Sequence, residues 1–170
     1  SIAVPVTNLS TGVVHGTVQE ALLAAADGDI IEIAPGTICE DGIIFPAGLD
    51  VDLRGAGRGL TVIDGGGGGD TQPILNFPNT GQTPATIISD LTLRNGVNTS
   101  AEGPGGVRVL SASPTFRLVD FENNAGPGVG GSAHVTLRGS AAPRFDRCRF
   151  VDGHSAYESI GGSGSTSLTM

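Results

Sequence analysis

The sequence predicts an all-β solenoid, and three observations carry that prediction. The first is a segment that occurs three times, as Pro84–Gly96 (PATIISDLTLRNG), Pro114–Ala125 (PTFRLVDFENNA) and Pro143–Gly153 (PRFDRCRFVDG). Aligning its closing apolar residue stacks Leu93, Phe121 and Phe150 at steps of 28 and 29 residues, and a fixed period of that size marks a coil built from repeated units. The same alignment stacks Ile88, Phe116 and Phe145, then Leu91, Val119 and Cys148, then Asn95, Asn123 and Asp152. The second observation is composition. Glycine is abundant (28 of 170), aromatics are scarce and Trp is absent, which suits short strands and tight turns. The third is the regular return of Val, Ile, Leu and Phe with sparse charge, which excludes disorder. The length fits one domain with a real core.

Taken in order, residues 1–15 read as apolar and β-prone, a first strand or a strand-like arm that pairs with something else, with Pro5 restricting it to an edge. Val4, Val6 and Leu9 are its candidate self-association residues. Residues 16–28 read as a capping helix. Within Gly16–Ala26 (GTVQEALLAAA), Thr17 caps, Glu20 completes a capping box, and Val18, Ala21, Leu22 and Ala25 form an apolar face. Asp27-Gly28-Asp29 ends the helix. Its expected place is over the open end of the core, whose strand edges are otherwise bare.

Residues 29–170 read as the solenoid. Ile30–Ile33 is a buried strand, 34–37 a turn, and Ile43–Phe45 a strand; Leu49–Leu53 turns Leu49, Val51 and Leu53 inward with Asp50 and Asp52 outward. Thr61–Ile63 and Pro73–Phe77 add short strands on either side of a five-glycine run. Strands this short also suit a sandwich, but the period decides for a coil of about three strands per turn.

The net charge of −8 argues against nucleic-acid or anionic-membrane partners. All nine cations are Arg, read mainly as solvated outward positions, with Arg54 and Arg58 or Arg144, Arg147 and Arg149 as candidates to line a groove for acidic sugars. No run approaches the ~20 apolar residues of a membrane span. Ser1 is not a natural start, which leads us to expect that a leader has been removed upstream. Two cysteines make neither a disulfide framework nor a metal site. Cys148 shares the stack of Leu91 and Val119 and reads as a small buried hydrophobe; Cys39 lies near a turn.

TVQEALLAAADGDIIEIAPGT, LDVDLRGAGRGLTVIDGGG and ISDLTLRNG together resemble the opening of exported prokaryotic proteins of the pectin-lyase-like superfamily. Gly105-Gly106-Val107 and Phe121–Asn124 resemble repeats of bacterial polymorphic outer-membrane proteins and adhesins. The resemblance implies a right-handed parallel β-helix of about five coils with an N-terminal capping helix. It places Asn95, Asn123 and Asp152 as a structural ladder at a turn, where short polar side chains tolerate left-handed backbone.

Enzymes of that superfamily carry an outward cluster of Asp, Arg, Lys or His, often with calcium. Their strings are missing here: no R-x-P-x-x-R, no N-T-D with G-H-G, no D-P-H, and no Lys anywhere. What remains is an outward acidic and Arg set, Asp90, Asp120, Arg94 and Arg117, that forms a catalytic or calcium-binding face only if it converges; otherwise it is surface charge. Asp64 and Asp70 around the glycine run lack the alternation of an EF-hand. His15, His134 and His154 are scattered and read as core or surface residues.

No catalytic residue, metal site or cofactor is therefore expected, calcium being the one ion the outward carboxylates suit. The tail GGSGSTSLTM shows no second cap, and an uncovered solenoid end pairs with another chain. The expected function is an extracellular or cell-surface structural or adhesive module. It associates end to end with copies of itself, and Cys39 and Cys148, towards opposite ends, are candidate contacts. The alternative is a carbohydrate-active or carbohydrate-binding β-helix with polysaccharide as partner.

Overall fold

The computed structural model describes residues 4–66, 72–100, 103–126 and 133–153, and the backbone of 160–163. A cap comes first: β1 (Val6–Asn8), β2 (Val14–His15) and α1 (Val18–Leu23). The coils follow in chain order. β3 (Ile30–Ile33), β4 (Gly36–Cys39) and β5 (Ile43–Ile44) make the first, and β6 (Asp52–Arg54), β7 (Thr61–Asp64) and β8 (Leu75–Pro78) the second. The third has β9 (Ile87–Arg94) and β10 (Val107–Leu110), and the fourth β11 (Thr115–Glu122) and β12 (Val135–Arg138). The last level holds β13 (Arg144–Asp146), β14 (Arg149–Val151) and β15 (Ile160–Ser163).

The strands stack in parallel on three faces. The first face carries β3, β6, the leading half of β9, the leading half of β11, and β13. The second carries β4, β7, the trailing halves of β9 and β11, and β14. The third carries β5, β8, β10, β12 and β15. Each face has five strand levels joined by about four turns, so the expected all-β solenoid is the observed fold, with about four turns where about five coils were expected. At ~4.8 Å per step the levels span ~19 Å.

Register is fixed by inward ladders. Ile31, Leu53, Ile88, Phe116 and Phe145 lie in line on the first face, and Ile38, Ile63, Leu93, Phe121 and Phe150 on the second. Both contain the stacks read from the repeat. Phe116 lies flat on Phe145 with centroids 5.1 Å apart, and Phe121 on Phe150 at 4.7 Å. A one-residue slip would turn every ladder residue outward, and each buried Phe or Leu stabilises by about 1.5–3 kcal/mol.

The corners are made by left-handed residues in columns. Asp90, Leu118 and Arg147 turn the chain from the first face to the second, at φ 58°, 54° and 52°. Asn95, Asn123 and Asp152 make the next corner, at 55°, 48° and 52°, and Asn79, Ser111 and Gly139 the third. The predicted ladder at 95, 123 and 152 is thus a corner, where Asn123 Nδ2 donates to Asn95 Oδ1 at 2.7 Å and Asn95 Nδ2 to the Asp64 carboxylate at 3.0 Å. Just inside it the fully buried Asn124 accepts from Gly96 N–H at 2.9 Å and donates to Leu93 O at 3.1 Å. It satisfies backbone where the chain leaves the ladder. Gly96 and Gly105 pack backbone on backbone here, and a Cβ on either would strike the other.

The cap differs from expectation in two ways. The helix is Val18–Leu23, shorter than Gly16–Ala26. The Asp29 carboxylate accepts Ala26 N–H at 2.9 Å and Asn8 Nδ2 at 2.7 Å, drawing the chain out of the helix after Ala24. Thr17 caps as predicted, accepting Glu20 N–H, while Glu20 reaches back to Gly16 N–H and not to Thr17. Residues 1–15 are also no separate arm, as far as described. β1 pairs antiparallel with both β3 and β2, Val6 is fully buried in the protein's own core, and Val4 packs against that core. Strand β4 was read as part of a turn from Pro35-Gly36, and β10, β12 and β15, which continue the third face, were not read as strands at all.

Candidate functional site

The outward charges were the first candidate site, and the structure separates them. Asp90 is at a corner, Arg117 faces out from the first face, and Asp120 and Arg94 from the second. On the second face the charges neutralise one another along the axis. Asp120, only 3% exposed, is held between Arg149 at 2.6 Å and Arg58 at 3.4 Å. Arg149 also reaches Glu122 at 2.9 Å. Arg58 belongs to the loop between β6 and β7, yet donates to Arg147 O on the last level at 3.3 Å, so its side chain staples several levels. Arg94 binds Asp64 at 2.8 Å. Burial alone would raise the Asp64 carboxyl, but bonds from Arg94, Gly66 and Asn95 outweigh it and hold the group below the ordinary range.

On the first face Asp50 accepts from Thr83 N–H at 2.8 Å and from the Thr86 hydroxyl at 2.7 Å, and Asp52 accepts Ile87 N–H at 3.1 Å. Burial pushes the Asp52 carboxyl up, against the pull of that bond and of Arg54 and Arg117. These carboxylates fasten the long 79–86 connection to the second coil. Among the described residues no three His, Cys, Asp or Glu side chains are grouped to hold a metal ion, and no helix is long and apolar enough to cross a membrane. Asp70 and His154 lie outside the described residues.

The cysteines are free. Cys39 is exposed on β4. Cys148 packs against the core, its thiol donating to Phe116 O at 3.4 Å, and burial pushes its pKa up to about 11. It is partly buried against the core, as expected of a small hydrophobe in the stack of Leu91 and Val119.

The third face holds an outward column of Asn76, Arg108 and Thr136, in register on adjacent levels. Asn76 and Thr136 are about nineteen-twentieths buried, yet Asn76 Oδ1 and Thr136 Oγ1 have no hydrogen-bond partner among the described residues.

The two ends are the remaining site, and they differ. At the first end the Glu40 carboxylate accepts Val18 and Gln19 N–H, both at 2.8 Å, and the Gln19 amide bonds both Ile44 N–H and Ile44 O. A carboxylate thus caps α1 while a side-chain amide occupies the edge of β5. Beyond them β2 is a bare sheet edge. Asn8 N–H donates to Val13 O at 2.9 Å, so Val14, one residue on, turns its own N–H and C=O outward. Leu9, Val13, Val14 (63% exposed) and Leu23 (74%) leave apolar surface on this end. At the last end, no described residue pairs with the outer edges of β13, β14 and β15. Arg144 N–H donates inward to Pro114 O, so Phe145 directs its N–H and C=O to the free edge. Arg144, Arg147 and Arg149 are exposed there.

Sequence reasoning placed self-association on Val4, Val6, Leu9, Cys39 and Cys148. Of these, Leu9 and Cys39 are exposed, whereas Val4 and Val6 are spent on the cap. Val14 and Leu23, exposed at the first end, were not among them, although Leu23 lies opposite the predicted apolar face of the helix and its exposure was legible from that spacing.

Comparison with protein-family models, curated proteins and solved structures finds no match. The β-solenoid stands on its own geometry.

Proposed function

We propose that this chain is an extracellular or cell-surface structural or adhesive module of pectin-lyase-like kinship, exported by a prokaryote, that associates end to end with copies of itself. One observation carries the reading. The first-face sheet runs through the whole molecule, from the free edge of β2 to the free edge of β13, and both edges have the same strand direction. β1 is antiparallel to β3 and β2 to β1, so β2 runs parallel to β3, β6, β9, β11 and β13. A copy shifted along the axis therefore offers β2 to β13 without reversal and extends the sheet. Such a contact is heterologous and does not close, so it builds a filament. The second-face charges support a scaffold, since Asp120, Glu122, Arg58 and Arg149 are engaged with one another across the levels.

Electron microscopy and light scattering on the purified chain test this. Filaments, or oligomers growing with concentration, are expected; a monomer at every concentration overturns it.

The Asn76–Arg108–Thr136 column favours a second reading, carbohydrate binding without turnover, because its unpaired buried oxygens suit a hydroxyl-rich ligand. Binding of polysaccharide that is lost in Arg108→Ala, with the oligomeric state unchanged, would select it.

A further inference from the structure

The middle of the first face carries two arginines that hold nothing together. Glu32, Arg54, Ser89, Arg117 and Asp146 follow one another in register, outward, on five successive levels. The borders of this face, the 55–60 loop and the connections 79–86, 111–114 and 139–143, all lie among the described residues. Arg54 and Arg117 are rooted two levels apart, ~9.6 Å at ~4.8 Å per level, with Ser89 between them. Both are half-buried, and among the described residues neither makes an ion pair or a hydrogen bond, unlike Arg58, Arg94, Arg147 and Arg149. Each has an acid in register on its outer side and leaves it alone: Asp146 pairs with Arg147 at 3.3 Å, and Glu32 stays exposed. Ser89 points out yet is only 2% exposed. A small outward side chain is covered by what stands beside it, and its neighbours in the column are the long Arg54 and Arg117 stems. The Asp52 carboxyl, raised mainly by burial, is pulled down by Arg54 and also by Arg117. The Arg117 guanidinium, rooted two levels from Asp52, therefore leans back across the level of Ser89.

We infer that Arg54, Ser89 and Arg117 form a binding site for a tetrahedral oxyanion, a sulfate or phosphate group. The site needs neither end of the solenoid and so goes beyond the end-to-end reading. A guanidinium presents its donors as a planar fork, and one fork uses up both oxygens of a carboxylate. Here two forks come from opposite sides and the Ser89 hydroxyl adds a donor between them. A tetrahedral group has oxygens pointing in all three directions, which a planar carboxylate lacks. Charge agrees with this. The two guanidiniums face the single Asp52 carboxylate, which already accepts Ile87 N–H at 3.1 Å, so the spot is positive in a chain of net charge −8. Binding requires only that the two flexible stems part over Ser89.

Titration calorimetry at low ionic strength tests the site, with inorganic sulfate, inorganic phosphate and acetate as probes. The parent chain is expected to bind sulfate and phosphate and to bind acetate much more weakly. Arg54→Ala and Arg117→Ala should each weaken binding on the order of tenfold or more, the loss of charge-assisted hydrogen bonds. Arg144→Ala, an exposed arginine in the adjacent column, should leave it unchanged. A parent chain that binds neither ion overturns the inference, and so does an equal loss in Arg144→Ala, which would mean diffuse surface charge. Acetate binding as tightly as sulfate overturns the tetrahedral assignment. Dextran sulfate, with uncharged dextran as its control, separates the sources of the group. Tighter binding than free sulfate supports the site with the oxyanion carried on a polymer, and binding of the free ions alone supports it with a small anion. Circular dichroism establishes that the variants remain folded. If truncation unfolds either one, Arg54→Lys and Arg117→Lys repeat the test. Lysine keeps the charge and the stem but loses the fork, so weaker binding is expected, and full retention in both overturns the two-fork geometry.

Discussion

The middle coils and the cap solve one problem, covering apolar strand levels, by opposite means. In the middle a level is covered by near-copies of itself: Phe116 lies between Ile88 and Phe145, and Phe121 between Leu93 and Phe150. Pairing is parallel and in register, and any inward apolar residue of the right size serves. At the first end there is no preceding level, so unlike groups stand in for one. An antiparallel strand lies on β3, the Gln19 amide on β5, and a helix capped by Glu40 covers the rest. The repeat needs a period, whereas the cap needs particular side chains at particular places.

Breaking the middle should have the largest effect. Phe116→Ala removes a fully buried ring that touches Phe77, Phe121 and Phe145, and a loss of about 3–5 kcal/mol is expected. Urea unfolding measures it. Because strand pairing joins each level only to its neighbours, unfolding should also become less cooperative, with a lower m-value; an unchanged m-value would show that cross-level contacts such as those of Arg58 make the coils melt as one unit.

Breaking the cap should cost less and stay local. Glu40→Ala leaves the Val18 and Gln19 N–H groups without their acceptor, at about 1–2 kcal/mol. Hydrogen exchange should quicken in α1, β1 and β3 and hold steady in β9 and β11. Equal acceleration throughout would abolish the distinction between cap and coil.

The same division explains what was legible in the sequence. The ladders through 88, 116 and 145 and through 93, 121 and 150, and the corner at 95, 123 and 152, were read correctly because repetition itself reveals register. The cap was legible only in part. Thr17 and the apolar face of α1 follow local rules, but Asp29 ending the helix through Ala26 and Asn8, and Glu40 capping it from 22 residues away, are tertiary contacts with no local signature. The outward Asp and Arg set failed for a related reason. Which face an outward residue takes depends on the corner between the faces, and Asp90, Leu118 and Arg147 do not look like corner residues. A Leu at φ 54° is set by its neighbours, not by its own preference.

Acid should have the smallest effect, and it sharpens the comparison because the shifted carboxylates divide between cap and coil. Asp29 in the cap is held below the ordinary 3.8 by Ala26 N–H and then by Asn8. In the coils burial opposes, but the Thr83 and Thr86 bonds to Asp50 and the Arg94 bond to Asp64 prevail, so both also lie below 3.8. A lowered folded value means stability that is present above 3.8 and lost as pH falls through the folded value. Asp52, raised by burial, has the opposite sign: its contribution is full below 3.8 and declines as pH rises through its folded value, a partial offset. Stability should therefore be flat from pH 7 to about 5 and fall below about 4. Asp64→Asn should lower stability at pH 7 by at most about 1 kcal/mol, since Arg94 is partly exposed, and should reduce the slope below pH 4. If Asp64→Asn keeps the parent's acid slope while Asp29→Asn loses it, the cap alone is acid-labile, and protonation opens the first end before it touches the coils.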